Sequence, residues 1–291
     1  MRKVLIALSA LAALVALLVA TTATGAPRSS AAIPGCAPGS LNLLQAGALT
    51  LGADNPAFPP WFGGNAKKPW KVSDPNSGKG YESAVAYAIA KQLGFARTAV
   101  KWTYVPFSNS FRPGKKPFDF YITQVSITPE RAKAITFSKP YYYVNQAVVG
   151  RKGKPISSVR SVAGLKKFKL GAQLGTTSYQ YIVDHIKPSS SPLVYKTNDL
   201  AVQALKNGQI DGLVVDLPTA FYVTAVQVPD GTIVGQFPSG ASKEGFGLVL
   251  AKGNPLVTCV NKAIGRLWAN GTIKTLQRIW LAKATGAPVL K

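Results

Sequence analysis

Four short segments hold most of the side chains able to grip or transform a small molecule. Residues 54–61 (DNPAFPPW) set the rings of Phe58 and Trp61 beside the carboxylate of Asp54. The loop is stiffened by proline, and stiff aromatics make a stacking surface at low entropic cost. Residues 123–131 (TQVSITPER) offer the hydroxyls of Thr123 and Ser126, the amide of Gln124 and the guanidinium of Arg131. The guanidinium fork matches a planar carboxylate with two parallel hydrogen bonds. Gly175-Thr176-Thr177 stands where a helix begins, and free N–H groups there favour an anion. Asp216 ends the apolar run 212–215, a position that faces the crevice outside the strand ends of an open α/β sheet. Each feature also has a structural use. Phe58 and Trp61 fit core packing, Arg131 fits an ion pair with Glu130, and Thr176 fits a helix cap. Asp216 fits an N-cap for a helix beginning near Pro218.

Catalytic groups are scarce. The one histidine, His185, lies near the end of an expected helix. No His/Cys/Asp cluster has metal-ligand spacing, and neither a Gly-x-Ser-x-Gly elbow nor a Gly-x-Gly-x-x-Gly fingerprint occurs. With 11 acidic residues in 291, few carboxylate pairs are available for acid/base work. The expectation is a binding protein with no catalytic residue, no metal and no cofactor.

The elements that must position these groups alternate between strand and helix. Apolar runs at 48–53, 100–106, 118–123, 141–149, 169–173, 212–215 and 246–251 read as strands. Helical spacing marks 82–93, with Gly94 as its stop, and 178–186, 199–206 and 218–226. A helix opens at Asn254-Pro255 and runs to Gly271, and a last one follows with Ile273, Leu276, Ile279 and Trp280 facing inward. This alternation implies an α/β architecture with largely parallel sheets.

Residues 1–26 carry Arg2 and Lys3, an apolar run from Val4 to Ala20 and a tail of small residues, the pattern of a secretory signal. Ala23, Ala26 and Ala32 are all possible cleavage points. Residues 27–46 are rich in Pro, Gly, Ala and Ser and read as a linker with a short ordered lead-in. Two cysteines, Cys36 and Cys259, favour one disulfide in an exported chain. Ile33-Pro34-Gly35-Cys36 also has a weak likeness to a lipid-attachment motif. The formal charge of +23 falls to +21 without residues 1–26. Such a field attracts anions. Export and the absence of an Arg-rich tract argue against nucleic acid and point to acidic wall polymers or anionic membrane surfaces as neighbours.

In this order, the four segments resemble the family 3 extracellular solute-binding proteins of amino-acid ABC importers. The resemblance covers residues 47–280. Its most specific piece is ITQVSITPERAKAITFSKPYY at 122–142, with GYES, LGTTSYQYI, ALKNGQIDGLVVD and NKAIGRLWANGTIKTLQRIW in the expected places. It implies a two-lobed periplasmic binding protein fold of type II, with mostly parallel sheets flanked by helices and a two-strand hinge. Lobe 1 would comprise 47–145 plus 248–291, and lobe 2 would comprise 146–247. By the same resemblance Phe58 stacks on the ligand, Gln124 and Ser126 contact it, Arg131 and Thr177 hold its α-carboxylate, and Asp216 holds its α-ammonium. Asp54, Trp61, Thr123 and Thr176 are secondary candidates. The implied partners are an amino acid or related zwitterion and a membrane permease, and the chain is expected to be a monomer. A dehydratase on the same scaffold, or a sensory module, is the alternative.

Overall fold

The computed structural model describes residues 33–238, 243–282 and 286–291, which lie within one compact unit. The proposed signal segment 1–26 and the first residues of the linker lie outside the described residues. In chain order the strands are β1 (Leu49–Ala53), β2 (Val100–Tyr104), β3 (Phe120–Tyr121), β4 (Ile135–Val144), β5 (Gln146–Arg151), β6 (Leu170–Gln173), β7 (Leu193–Tyr195), β8 (Gly212–Asp216), β9 (Gly231–Gln236) and β10 (Glu244–Ala251). The helices are α1 (Tyr81–Gln92), α2 (Phe107–Ser110), α3 (Pro129–Ala134), α4 (Thr177–Tyr181), α5 (Asn198–Lys206), α6 (Leu217–Tyr222), α7 (Leu256–Ala269) and α8 (Thr272–Leu281).

The strands form two five-stranded sheets, ordered β2-β1-β3-β10-β4 and β7-β6-β8-β5-β9. Each sheet is mixed. β1 runs parallel to β2 and β3, and β6 to β7 and β8, whereas β10 and β5 run antiparallel to their neighbours. Both faces of each sheet are covered. Leu248 and Leu250 enter one core cluster of the first sheet and Val249 the other. In the second sheet Val148 and Val214 point to one cluster, and Ala147, Val149, Leu213 and Val215 to the opposite one. Strand residues alternate between faces, so two-sided burial requires the unbroken apolar runs seen in the sequence.

Two crossings join the sheets. The apolar run expected as one strand at 141–149 is broken at Asn145: its first half ends β4 and its second half begins β5. Both halves are apolar because both are buried, and burial alone does not record the change of sheet. The second crossing runs from β9 to β10, which enters the first sheet with Glu244 opposite Val144. Lobe assignment also differs at the chain end. Residues 286–291 sit on the second sheet, where Val289 bridges Gln236 and Leu290 is buried in its core. The sequence division placed them with lobe 1, because a short tail carries no periodic signal.

Helix α1 begins after Gly80, which has φ 88° and whose added Cβ would lie 2.4 Å from Phe62 Cα, so only glycine fits. It buries Tyr81, Val85 and Ile89 and ends before Gly94. Helix α7 buries Leu256, Val260, Ala263, Ile264 and Leu267 against the same core. Cys259 of α7 is bonded to Cys36, with Cα atoms 5.5 Å apart. The lead-in is therefore anchored to the first lobe, with Ile33 and Cys36 buried and Leu41 and Leu43 packed on the core.

This disulfide closes a loop spanning 223 residues. Loop-closure entropy alone assigns such a bond about 5 kcal/mol. Reduction, or Cys36→Ser with Cys259→Ser, is expected to lower the unfolding free energy from denaturant titration by about 2–5 kcal/mol while leaving the far-UV circular dichroism of the folded state unchanged.

Candidate functional site

The strand ends build one cleft between the two sheets. Asp54 follows β1, Thr123 and Gln124 follow β3, Thr176 and Thr177 follow β6, and Asp216 ends β8. The cavity there encloses about 180 Å³. Its walls include Asp54, Phe58, Thr123 and Gln124 from the first lobe and Thr176, Asp216, Thr219 and Tyr222 from the second. Contacts cross it directly. Trp61 Nε1 donates to Thr219 Oγ1 at 3.1 Å, and the Phe58 and Tyr222 ring centroids are 5.8 Å apart. Trp61 is buried, so it serves both core and cleft wall.

Arg131 lies in the first turn of α3, whose N-cap Thr128 accepts from the Arg131 backbone N–H at 3.2 Å. Its guanidinium turns toward the second lobe. Nη1 donates to the Ser126 carbonyl and Nη2 to the Gly175 carbonyl, each at 2.7 Å. The second bond joins the lobes. The guanidinium carbon lies 4.6 Å from the Phe111 ring centroid, and desolvation lowers the group to about 10.

Asp216 occupies the N-cap position of α6 but makes no side-chain cap bond. Its Oδ1 instead accepts from Gln146 Nε2 at 2.6 Å. Burial, followed by the nearby Glu244 carboxylate, holds its carboxyl well above the usual range. The other Gln146 amide proton goes to Glu244 Oε2 at 3.0 Å, and Gln146 Oε1 accepts from Ser178 Oγ at 2.6 Å. The amide is thus fully used. Glu244 Oε1 accepts from Ser126 Oγ at 2.5 Å and from Thr177 Oγ1 at 2.6 Å.

The remaining candidates separate into two groups. Gln124 has φ 42°, in the left-handed region. Its backbone N–H donates to Glu82 Oε1 at 2.7 Å and its side-chain amide to Glu82 Oε2. Gln124 is thereby held from below while lining the cavity. Asp54 accepts from its neighbour's N–H, Asn55 N to Oδ1, at 2.8 Å, and its own N–H donates to Thr123 Oγ1 at 3.1 Å. Burial pushes the Asp54 carboxyl up to about 6, with the Asp199 charge across the cleft adding to it. Thr176 is a helix cap: its hydroxyl accepts from Tyr179 N at 3.1 Å and donates to Gln173 O at 2.7 Å. Ser126, Arg131 and Thr177 are brought together around Glu244 and do not line the cavity, whereas Asp54, Phe58 and Asp216 do.

Sequence reasoning missed Glu82, Gln146, Ser178, Asp199 and Glu244. A signal existed for two of them. Gln146 is a lone amide heading an Ala-Val-Val run, and Glu82 is a carboxylate among apolar residues in GYES. His185, by contrast, packs its ring on Tyr181, with centroids 4.6 Å apart, and lies outside the cavity wall.

Two α/β lobes with paired crossings, polar groups gathered at the strand ends of both, define a binding protein that closes on a solute. The chain belongs to the bacterial extracellular solute-binding proteins, family 3, whose model matches residues 63–283. It is similar to the L-cystine-binding protein TcyJ of Escherichia coli (strain K12), at 28% identity over 73% of this chain and 76% of that one. The putative ABC transporter arginine-binding protein 2 of the same strain is 30% identical over 70% of this chain and 82% of that one. An ancestral arginine-binding protein bound to glutamine superposes with TM-score 0.65 at 30% identity, covering 81% of this chain and 98% of that one.

Glu82 is fully buried under the cleft floor and also accepts from the Tyr141 hydroxyl. Burial raises its carboxyl from 4.5 to about 7, against the hydrogen bonds that lower it. The folded state therefore holds this proton over a range where the unfolded chain has released it, so stability falls as pH rises from about 4.5 to about 7. At ~1.4 kcal/mol per pH unit of displacement the contribution is on the order of 3 kcal/mol. Denaturation curves of wild type and Glu82→Gln at pH 4.5 and 8 are expected to show that the wild type loses more stability than the variant over this interval.

Proposed function

We propose that this chain is the exported receptor of an ABC importer that captures an amino acid with a cationic side chain and delivers it to a membrane permease. The observation that carries the reading is the division of charge in the cleft. Arg131, with the hydroxyls of Ser126 and Thr177, forms one polar end. Asp216 lies beside it on the second lobe, and Asp54 and Asp199 face the cavity from opposite lobes. An α-carboxylate suits the first group and an α-ammonium suits Asp216. The aliphatic part of a side chain can lie along the wall that Phe58 and Tyr222 form, and a terminal cation fits the Asp54/Asp199 pair. A ligand with these charges touches both lobes at every point, so it stabilises the closed state selectively. The names of the arginine-binding relatives agree with this class. The N-terminal pattern of residues 1–26 supports export, and the protein acts as a monomer without nucleic acid or catalysis.

Buried carboxylates with raised affinity for protons are also what a general acid needs. This keeps a dehydratase reading in view, since one similar structure is an ancestral amino-acid-binding precursor of cyclohexadienyl dehydratase. Glu82 is enclosed by Tyr141 and Gln124 rather than open to the cavity, which favours the receptor. Incubation with prephenate or arogenate is expected to give no aromatic product; turnover would overturn the receptor reading.

A thermal-shift screen of the amino acids identifies the ligand, because a ligand at ~100 times its dissociation constant stabilises the fold by about 2.7 kcal/mol. L-Arginine and L-lysine are expected to give the largest shifts. Arg131→Ala and Asp216→Ala are each expected to weaken calorimetric binding more than a hundredfold, in line with ~3–5 kcal/mol for a buried charge left without its partner. Binding a cation favours ionised Asp54, so affinity is expected to rise with pH through about 6, with proton release, and Asp54→Asn should flatten that rise.

A further inference from the structure

Glu244 stands at the entry of β10 into the first sheet, opposite Val144. Its carboxylate fills the place where Ser126 and Thr177 meet near Arg131, and with it there none of the four lines the cavity. Ser126 belongs to the first lobe, and Thr177 and Gln146 to the second. A hydroxyl carries one proton. Ser126 and Thr177 both give theirs to Glu244 Oε1, at 2.5 and 2.6 Å, so neither keeps one for another anion. Their oxygens are 3.2 Å apart, which leaves the region between them to a single acceptor oxygen. Gln146 fixes the second oxygen of the same carboxylate at 3.0 Å. A free carboxylate of a ligand would seek these same donors.

We propose that Glu244 is a built-in competitor for the carboxylate end of the cleft, so that a ligand binds there only by displacing it. The inference rests on the reading of the cleft as an amino-acid site. Two consequences follow from the geometry. Without ligand, Glu244 ties Ser126 of one lobe to Thr177 and Gln146 of the other and so favours a closed unliganded form. With ligand, discrimination depends on the displaced charge. A carboxylate-bearing ligand must release Glu244 from three donors before using two of them. A ligand that is an amine without a carboxylate leaves Glu244 in place and keeps its negative charge nearby. Glu244 thus sets the ratio of affinities for the two ligand types, and specificity is that ratio.

The test compares the wild-type chain with Glu244→Ala and Glu244→Gln. Each is titrated by calorimetry with L-arginine and with its decarboxylated amine, agmatine. Unliganded protein is also measured by small-angle X-ray scattering. The proposal expects Glu244→Ala to bind L-arginine at least tenfold more tightly, Glu244→Gln to gain less, and neither to gain for agmatine. It expects unliganded Glu244→Ala to have a larger radius of gyration than wild type and to contract on adding L-arginine. Unchanged or weaker L-arginine binding by Glu244→Ala overturns the proposal, as does an equal gain for both ligands. Should Glu244→Ala not fold, Glu244→Gln decides by the same criterion. Should wild type bind neither ligand nor any amino acid, the amino-acid reading fails, and scattering judges Glu244 alone: an unchanged radius for the unliganded variant overturns its bridging role.

Discussion

Burying negative charge at the junction of two lobes is the constraint around which this molecule is arranged. Asp216 lies near Glu244 where the crossings meet, and burial penalises the ionisation of Asp216. One amide, Gln146, donates a proton to each, and Ser126 and Thr177 complete the shell of Glu244. Arg131 lends positive charge to both carboxylates, while Nη1 and Nη2 each give one of its five N–H donors to the Ser126 and Gly175 carbonyls. Gln146, Asp216 and Glu244 are the terminal residues of β5, β8 and β10. The two sheets must therefore keep their registers for the network to exist.

The rest of the fold serves that placement. Each sheet is buried on both faces, so its strands are rigid and their ends are fixed in space. The cleft floor is braced from beneath by Glu82, which takes hydrogen bonds from Gln124 and Tyr141. Gln124 can then hold a left-handed backbone. The disulfide ties the lead-in to α7. On the opposite lobe the residues 286–291 bind to the edge of the second sheet through the Gln236 and Arg160 backbones. The chain therefore touches the second lobe at its end as well as at the two crossings.

Much of the architecture was legible in local pattern. Seven apolar runs mapped onto strands because two-sided burial leaves an unbroken signature. The helices at 81–92, 198–206, 256–269 and 272–281 showed their periodicity, and the first three their glycine or asparagine stops. The strands at 193–195 and 231–236 escaped, since Leu193 and Val194 are exposed and Gly231 and Gly235 interrupt the second run. Side-chain direction speaks against the structural uses open at Asp216 and Arg131: Asp216 occupies the cap position but its side chain bonds Gln146, and Arg131 reaches the Gly175 carbonyl of the second lobe.

The amino-acid sequence alone determined the alternation of elements and the strand-end location of Asp54, Thr123, Thr177 and Asp216, because these depend on neighbours a few residues apart. It left Cys36 open between a disulfide and lipid attachment, and only the structure sets it against Cys259. Tertiary structure alone decided which carboxylates share an amide, which hydroxyls serve Glu244, and that Arg131 spans the lobes. Glu244 is 118 residues from Ser126 and 67 from Thr177, and Gln146 is 70 from Asp216. Hydrogen bonds act over about 3 Å in space and leave no periodic trace along the chain.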